Sequence, residues 1–208
     1  MRLSLDAIKL CERKFGKGDF VGFEHGETPD TSQLSEADGV RVFEELAQAC
    51  FIEYETDMHI NALGQHIFSM MCEPDQYFYL ENKRNGRRLR IYLRNAYYLC
   101  ILEENGIEET QTMYRFKLLP TLELVVSAFA YGLRESTEQK DGVEQSKPGD
   151  WKKEILLDGK AWNRGEQTEE LHLADLEAYT DCTDLINAVT TWMFRNMAGK
   201  QNVEEQRG

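Results

Sequence analysis

YFYLENKRNGRRLRIYLRNAYYLCILEENGIEETQTMYRFKLLPTLELVVSAF, residues 77–129, is the stretch whose reading decides the fold. Alternating apolar and polar residues flank Asn85-Gly86 and again Asn105-Gly106. Asn-Gly between such runs is a strong hairpin signal, because both turn residues must accept positive φ. The pattern predicts a four-stranded antiparallel meander over 76–83, 87–93, 96–103 and 112–119. Pro120 suits the first turn of a following helix. Leu122, Val125, Val126, Phe129 and Leu133 mark that helix's buried stripe. The stretch is a scaffold and contains no recognisable catalytic group.

Upstream, apolar residues from Leu3 to Phe15 fit a short helix broken by Gly16 and Gly18. Phe20, Val21 and Phe23 predict a short extended piece, and residues 26–32 a loop. Ser35, with Asp38 three residues on, opens a second helix with Val40, Phe43, Leu46, Ala47 and Cys50 at helical spacing. Residues 51–54 fit either a short strand or the end of that helix. A third helix is expected from Ile60 to Cys72, with Ile60, Leu63, Ile67, Phe68 and Met71 on one side, stopped by Pro74.

Downstream, residues 134–150 carry five acids and three bases and read as a flexible linker or long loop. Trp151 to Leu157 reads as a strand, with Asp158-Gly159 as a hairpin turn into residues 160–163. A further strand covers Glu170 to Leu173. A last helix spans Asp181 to Met197, with Leu185, Val189, Trp192, Met193 and Met197 inward. Gly199 serves as its C-cap, and residues 200–208 form a frayed tail. The plan is α+β: a β-meander with packed helices in 1–133, the linker, then strands and a helix in 151–199. Neither part buries its apolar face alone, so the plan favours two similar subdomains joined by a shared sheet or a common core.

The chain has 208 residues, 24 basic and 37 acidic, for a net charge of −13. That balance repels phosphate backbones and disfavours nucleic acid as a partner. No segment reaches the roughly 18 apolar residues needed to span a bilayer, so no membrane insertion is expected. The N-terminus acquires Asp6 at once and has no long apolar core, which predicts a cytoplasmic protein. Cys11, Cys50, Cys72, Cys100 and Cys182 are scattered without a Cys-x-x-Cys pair and read as reduced, mostly buried thiols.

Neither the histidines nor the glycines supply a reactive motif. His59 and His66 are seven apart and could share a helix face, but the zinc motif needs a spacing of four with an adjacent glutamate. Residues 15–19 hold two glycines and a lysine without the spacing or ending of a phosphate-binding loop. There is no Gly-x-Ser-x-Gly elbow. Paired acids abound, as expected with 37 of them. The reading is a binding protein, with no enzyme activity, no metal and no cofactor.

The one local charge anomaly is basic. Lys83, Arg84, Arg87, Arg88, Arg90 and Arg94 lie on or beside the first hairpin against Glu81 alone. This fits either a solvated hairpin tip that discourages edge pairing or a docking surface for an acidic partner, since arginine binds carboxylates bidentately. The candidate partner-binding residues are Arg84, Arg87, Arg88 and Arg90, with Tyr77 and Tyr79 beside them. Helices followed by a basic hairpin are also winged-helix-like. However, the candidate recognition helix, residues 61–71, has no lysine or arginine with which to grip DNA. A winged-helix transcriptional regulator and a small enzyme with an unrecognised cleft are the alternatives.

The order of these pieces resembles the EspG-type and EsaE-type secretion-associated proteins of type VII secretion systems. The resemblance covers roughly residues 1–133. It rests on residues 3–10 (LSLDAIKL), residues 37–46 (ADGVRVFEEL), residues 61–64 (NALG), and an aromatic meander ending in Leu119-Pro120-Thr121-Leu122. It implies helices feeding an antiparallel sheet and a cytosolic chaperone or adaptor. Such a protein would keep helical-hairpin secretion substrates soluble and deliver them to the secretion machinery. On this reading, reversing the charges of Arg84, Arg87 and Arg88 together is expected to weaken a partner complex without unfolding the protein. Titration calorimetry checks it, and unchanged affinity would count against docking there.

Overall fold

The computed structural model describes residues 1–23, 35–54, 58–84, 86–104, 112–121, 156–173 and 182–198. Several sequence expectations lie outside them: the 26–32 loop, the Asn105-Gly106 turn, the helix after Pro120, the 134–150 linker, most of the 151–157 strand, and the end of the chain with Gly199. The described elements are β1 (Arg2–Ser4), α1 (Leu5–Phe15), α2 (Glu36–Gln48), β2 (Ile52–Tyr54), β3 (Met58–Ile60), α3 (Ala62–Cys72), β4 (Gln76–Asn82), β5 (Arg87–Arg94), β6 (Tyr97–Glu104), β7 (Met113–Leu119), β8 (Leu157–Asn163), β9 (Glu166–Leu173) and α4 (Cys182–Ala198).

Seven strands form one antiparallel sheet in the order β1-β7-β6-β5-β4-β8-β9, and β2 and β3 form a separate pair. The fold is therefore α+β with the expected meander, β4 to β7, at its centre. The C-terminal strands are part of the same sheet, because β8 pairs with β4 along its whole length.

Strand alternation divides the apolar residues between two faces. Tyr77, Tyr92, Leu99, Ile101, Tyr114 and Phe116 join α1, α2 and α3 in the larger core. Phe78, Leu80, Leu89, Ile91, Cys100 and Leu102 point the other way and pack on Leu185, Val189, Trp192 and Met193 of α4. These four were expected inward from their spacing.

Short polar side chains start the helices, and of these Ser35 was expected from the sequence. Ser4 accepts a hydrogen bond from the Ala7 amide at 3.3 Å, Ser35 from Asp38 at 3.2 Å and Asn61 from Gly64 at 2.9 Å. Each satisfies an amide that has no partner within the first turn of its helix.

Four expectations are corrected. Leu3 belongs to β1 and pairs with Tyr114 of β7, so α1 begins only at Leu5. Residues 20–23 form a turn, with the Phe23 amide donating to the Phe20 carbonyl at 3.1 Å. On α2 the inward face is Val42 and Leu46, while Val40 and Phe43 are exposed. On α3, Ile67, Phe68, Met70 and Met71 are buried and Leu63 is exposed, while Ile60 sits in β3.

Turn chemistry also differs. Asn82 pairs with Arg87, so the first hairpin closes through residues 83–86, with the Gly86 amide donating to the Asn82 carbonyl at 2.8 Å. Asp158-Gly159 is strand, not turn. A Cβ at Gly159 would meet Leu80 Cδ2 at 2.8 Å and Trp192 Cη2 at 3.2 Å, so this glycine permits α4 to pack on the sheet. The real turn is Arg164-Gly165, with φ of 49° and 84°. The β4–β5 hairpin is no free wing, because β8 and β6 pair with its two outer sides.

α2 ends without a glycine. Cys50 has φ 57°, its amide donates to the Ala47 carbonyl at 3.0 Å, and the Phe51 amide donates to the Leu46 carbonyl at 3.2 Å. This is the Schellman pattern, with buried Leu46 and Phe51 as its apolar contact. A side chain at that position carries a left-handed backbone penalty. Cys50→Gly is expected to raise stability by about 0.5–1 kcal/mol, after its greater unfolded-state freedom is discounted. A higher urea midpoint at unchanged m-value checks it.

Candidate functional site

On the face that carries α1–α3, a groove of about 1510 Å³ runs along β4 and β8. Cross-strand register sets its floor. Tyr77 lies opposite Trp162, Tyr79 opposite Lys160, and Glu81 opposite Asp158. Tyr92, Tyr77 and Trp162 form a row of rings, each step 5.0 Å between centroids. The row runs from fully buried Tyr92 to half-buried Trp162.

The wall is the Phe20–Gly22 turn, held by groups from two layers. Arg90 Nε donates to the Gly22 carbonyl at 3.0 Å and Tyr92 Oη to the Val21 carbonyl at 2.7 Å. Buried Lys9 donates to the Phe23 carbonyl at 2.6 Å and pairs with Glu12 at 3.0 Å. Glu12 in turn accepts from the Phe20 amide. Gly22 has φ 79°, and a Cβ there would fall 2.1 Å from the Tyr77 hydroxyl. Only glycine lets this turn lie against the aromatic floor.

Arg90 is the centre of the charge network. It is 7 % exposed and pairs at 3.1 Å with Glu103, itself 5 % exposed. Its guanidinium also lies 4.6 Å from the Phe23 ring and within 6 Å of Tyr79 and Tyr114. Burial opposes its charge, but Tyr77, Tyr92 and Glu103 outweigh burial and raise its pKa. Burial, aided by Glu81, raises the Tyr79 phenol.

The structure separates the sequence-predicted site residues. Tyr77, Tyr79 and Arg90 line the groove, joined by Lys83 and Arg94 from the same basic cluster. Arg88 lies beside it on the same sheet face, 3.1 Å from Glu103 and 3.5 Å from Glu81. Arg87 is half-buried, and Arg84 is exposed at the hairpin turn. The cluster is thus no uniform positive patch. Lys83 pairs with Glu81, and Arg94 with Glu73 at 3.2 Å. Charge reversal at Arg88 would set a third carboxylate beside Glu81 and Glu103, so a substitution that tests exposed charge alone is confined to Arg84.

Trp162, Lys160, Asp75 and the 20–22 turn belong to the groove and were not singled out as site residues. No local motif marks them, because the β4–β8 pairing joins segments far apart in sequence. Cys72 also lines the groove. Its thiol is pushed up to about 11, chiefly by burial and then by Glu12 and Glu73, and it donates to the Gly18 carbonyl. It is therefore held as a thiol at neutral pH. His66 is not among the lining residues and packs edge-on to Tyr97 at 5.6 Å. His59 and His66 do not share a helix face, since His59 is in β3. Among the described residues no group of three or more His, Cys, Asp or Glu is placed to hold a metal ion. No helix among them is long and apolar enough to cross a membrane.

Comparison with protein-family models and with curated proteins gives no match.

Arg90→Ala is expected to cost about 3 kcal/mol, because Glu103 keeps its burial with only Arg88 left to pair it and the Gly22 carbonyl loses its donor. Arg84→Ala should change stability by less than about 0.5 kcal/mol. Parallel urea unfolding of the two variants separates them, and equal small losses would refute the central place given to the buried pair.

Proposed function

We propose that this protein is a cytoplasmic chaperone or adaptor that seats a helical segment of a protein partner in the β4–β8 groove. The partner class is the one implied by the type VII resemblance, a secreted helical-hairpin protein held soluble before export. The observation that carries the reading is the size and lining of the groove. Small-molecule sites occupy about 300–1,000 Å³, and 1510 Å³ exceeds that range. A helical turn about 10 Å across and about 5.4 Å long fills roughly 400 Å³, so the space matches between about three and four turns.

The lining suits a polypeptide as well. Half-buried Tyr79 and Trp162, aromatic rings with polar tips, provide contact area at low entropic cost, and buried Tyr77 supports them from beneath. Charges of both signs lie along the rim, with Glu73, Asp75 and Asp158 near Arg94, Lys160 and Arg164. Such a rim fixes register and orientation more than it adds affinity.

A photocrosslinking residue at Trp162, introduced in the producing cell, is expected to capture a helical protein. The same residue at exposed Phe194 of α4, on the opposite face, should not. Trp162→Ala should then weaken binding of the purified partner at least about tenfold by calorimetry. Equal capture at both positions, or unchanged affinity, rejects the groove as the site. Capture of a nucleic acid rejects the chaperone reading.

A further inference from the structure

We infer that Trp162 is the specificity-determining residue of the groove, and that it selects a partner by an aromatic side chain stacked on its indole. This rests on the reading of the groove as a helix site and names the partner residue that the site favours.

The rings of the floor form an unfinished row. Tyr92, Tyr77 and Trp162 succeed one another on β5, β4 and β8, with centroids 5.0 Å apart at each step and planes inclined by 35° and 36°. Tyr92 and Tyr77 are buried, so the row is closed at one end. Trp162 is half-buried, with one side against Tyr77 and the core and the rest of its surface in the groove.

β9 does not continue the row. Cross-strand partners share a sheet face, and the residue opposite Trp162 is Gln167, whose amide donates to Glu170 at 2.9 Å. The register between β8 and β9 shifts between Lys160 and Trp162. At this irregularity Thr168 and Glu169 both meet Asn196 on α4. On the groove side β9 is left with Gln167 and Glu170, bonded to each other. Bulges often re-aim side chains beside a site, and this one keeps apolar groups of β9 away from the indole.

Charge on either side of the ring narrows the choice of occupant. Lys160 and Arg164 flank Trp162 along β8 and line the groove. Lys160 has one long contact, 3.8 Å to exposed Glu170. Two cations beside the indole repel a lysine or arginine of the partner. A carboxylate would meet the cations but lose hydration against the indole. An aliphatic side chain would gain buried area alone. An aromatic ring gains that area, an offset or edge contact with the indole, and the attraction of its π face for the neighbouring cations.

The test uses the full chain and amphipathic peptides of about four helical turns. They are identical except for one residue at the centre of the apolar face, which is phenylalanine, cyclohexylalanine, glutamate or lysine. Cyclohexylalanine has the bulk of phenylalanine and is more apolar, but it has no π electrons, so burial alone would favour it. Binding is followed by NMR of the backbone amides and of the Trp162 indole. The phenylalanine peptide should bind about fivefold more tightly than the cyclohexylalanine peptide and move the Trp162 indole resonances upfield through its ring current. Trp162→Leu, which keeps apolar bulk, should abolish the difference between these two peptides. Equal or tighter binding of the cyclohexylalanine peptide in the groove would overturn the inference and leave the helix site standing. Tightest binding of the glutamate or lysine peptide would overturn it too, because charge would then select the partner. If none of the peptides moves the groove amides at millimolar concentration, the inference and the groove reading fall together. The upfield shift is read in the unsubstituted protein, so the inference stays open to refutation even if the variant fails to fold.

Discussion

Buried Arg90, paired with Glu103 on the neighbouring strand, ties the sheet to the segment that follows α1 through its hydrogen bond to the Gly22 carbonyl. Two charges withdrawn from water cost several kcal/mol each unless geometry and further hydrogen bonds compensate. Here they do: Arg90 meets Glu103, the Gly22 carbonyl and three aromatic faces, and Glu103 also accepts from Arg88. Because Arg90 comes from β5, the central strand of the seven, and Gly22 from the 20–23 turn, their hydrogen bond fixes a piece of irregular chain against the middle of the sheet. Lys9, Glu12 and Tyr92 complete the attachment from α1 and the sheet. Phe20 is thereby carried into the core, stacked on Phe68 at 5.4 Å.

That attachment shapes the surface. With the turn in place, the α1–α3 side of the sheet is covered over β5 and β6, while the aromatic floor on β4 and β8 borders open space. The other face of the same two strands carries α4. The unequal covering of one sheet creates the groove, and the proposed partner would complete the missing layer.

Much of the scaffold was legible because its signals are local. Alternation gave the boundaries of β4 to β7 to within about two residues. Ser35 with Asp38, and the Leu185-Val189-Trp192-Met193 spacing, located α2 and α4 for the same reason. Where a local signal had two meanings, the reading failed. Asp158-Gly159 carries turn chemistry, yet Gly159 is small because Trp192 and Leu80 crowd it. Cys50 closes α2 where no glycine advertises an end. Val40 and Phe43 have helical spacing but face outward, because α2 meets β1 and β2 through Val42 and Leu46.

The site was legible only as residue types. The amino-acid sequence determined the meander, the starts of α2 and α4, the net acidity and the local excess of arginine, all of which arise from neighbours in the chain or from composition. Tertiary structure alone decided that β8 adds beside β4 and sets Trp162 against Tyr77. It also decided that Arg90 turns inward to Glu103 while Arg84 stays in solvent. Side chains on one strand share a chemistry that sequence can display, but their burial and partners depend on which distant strand or turn lies across from them.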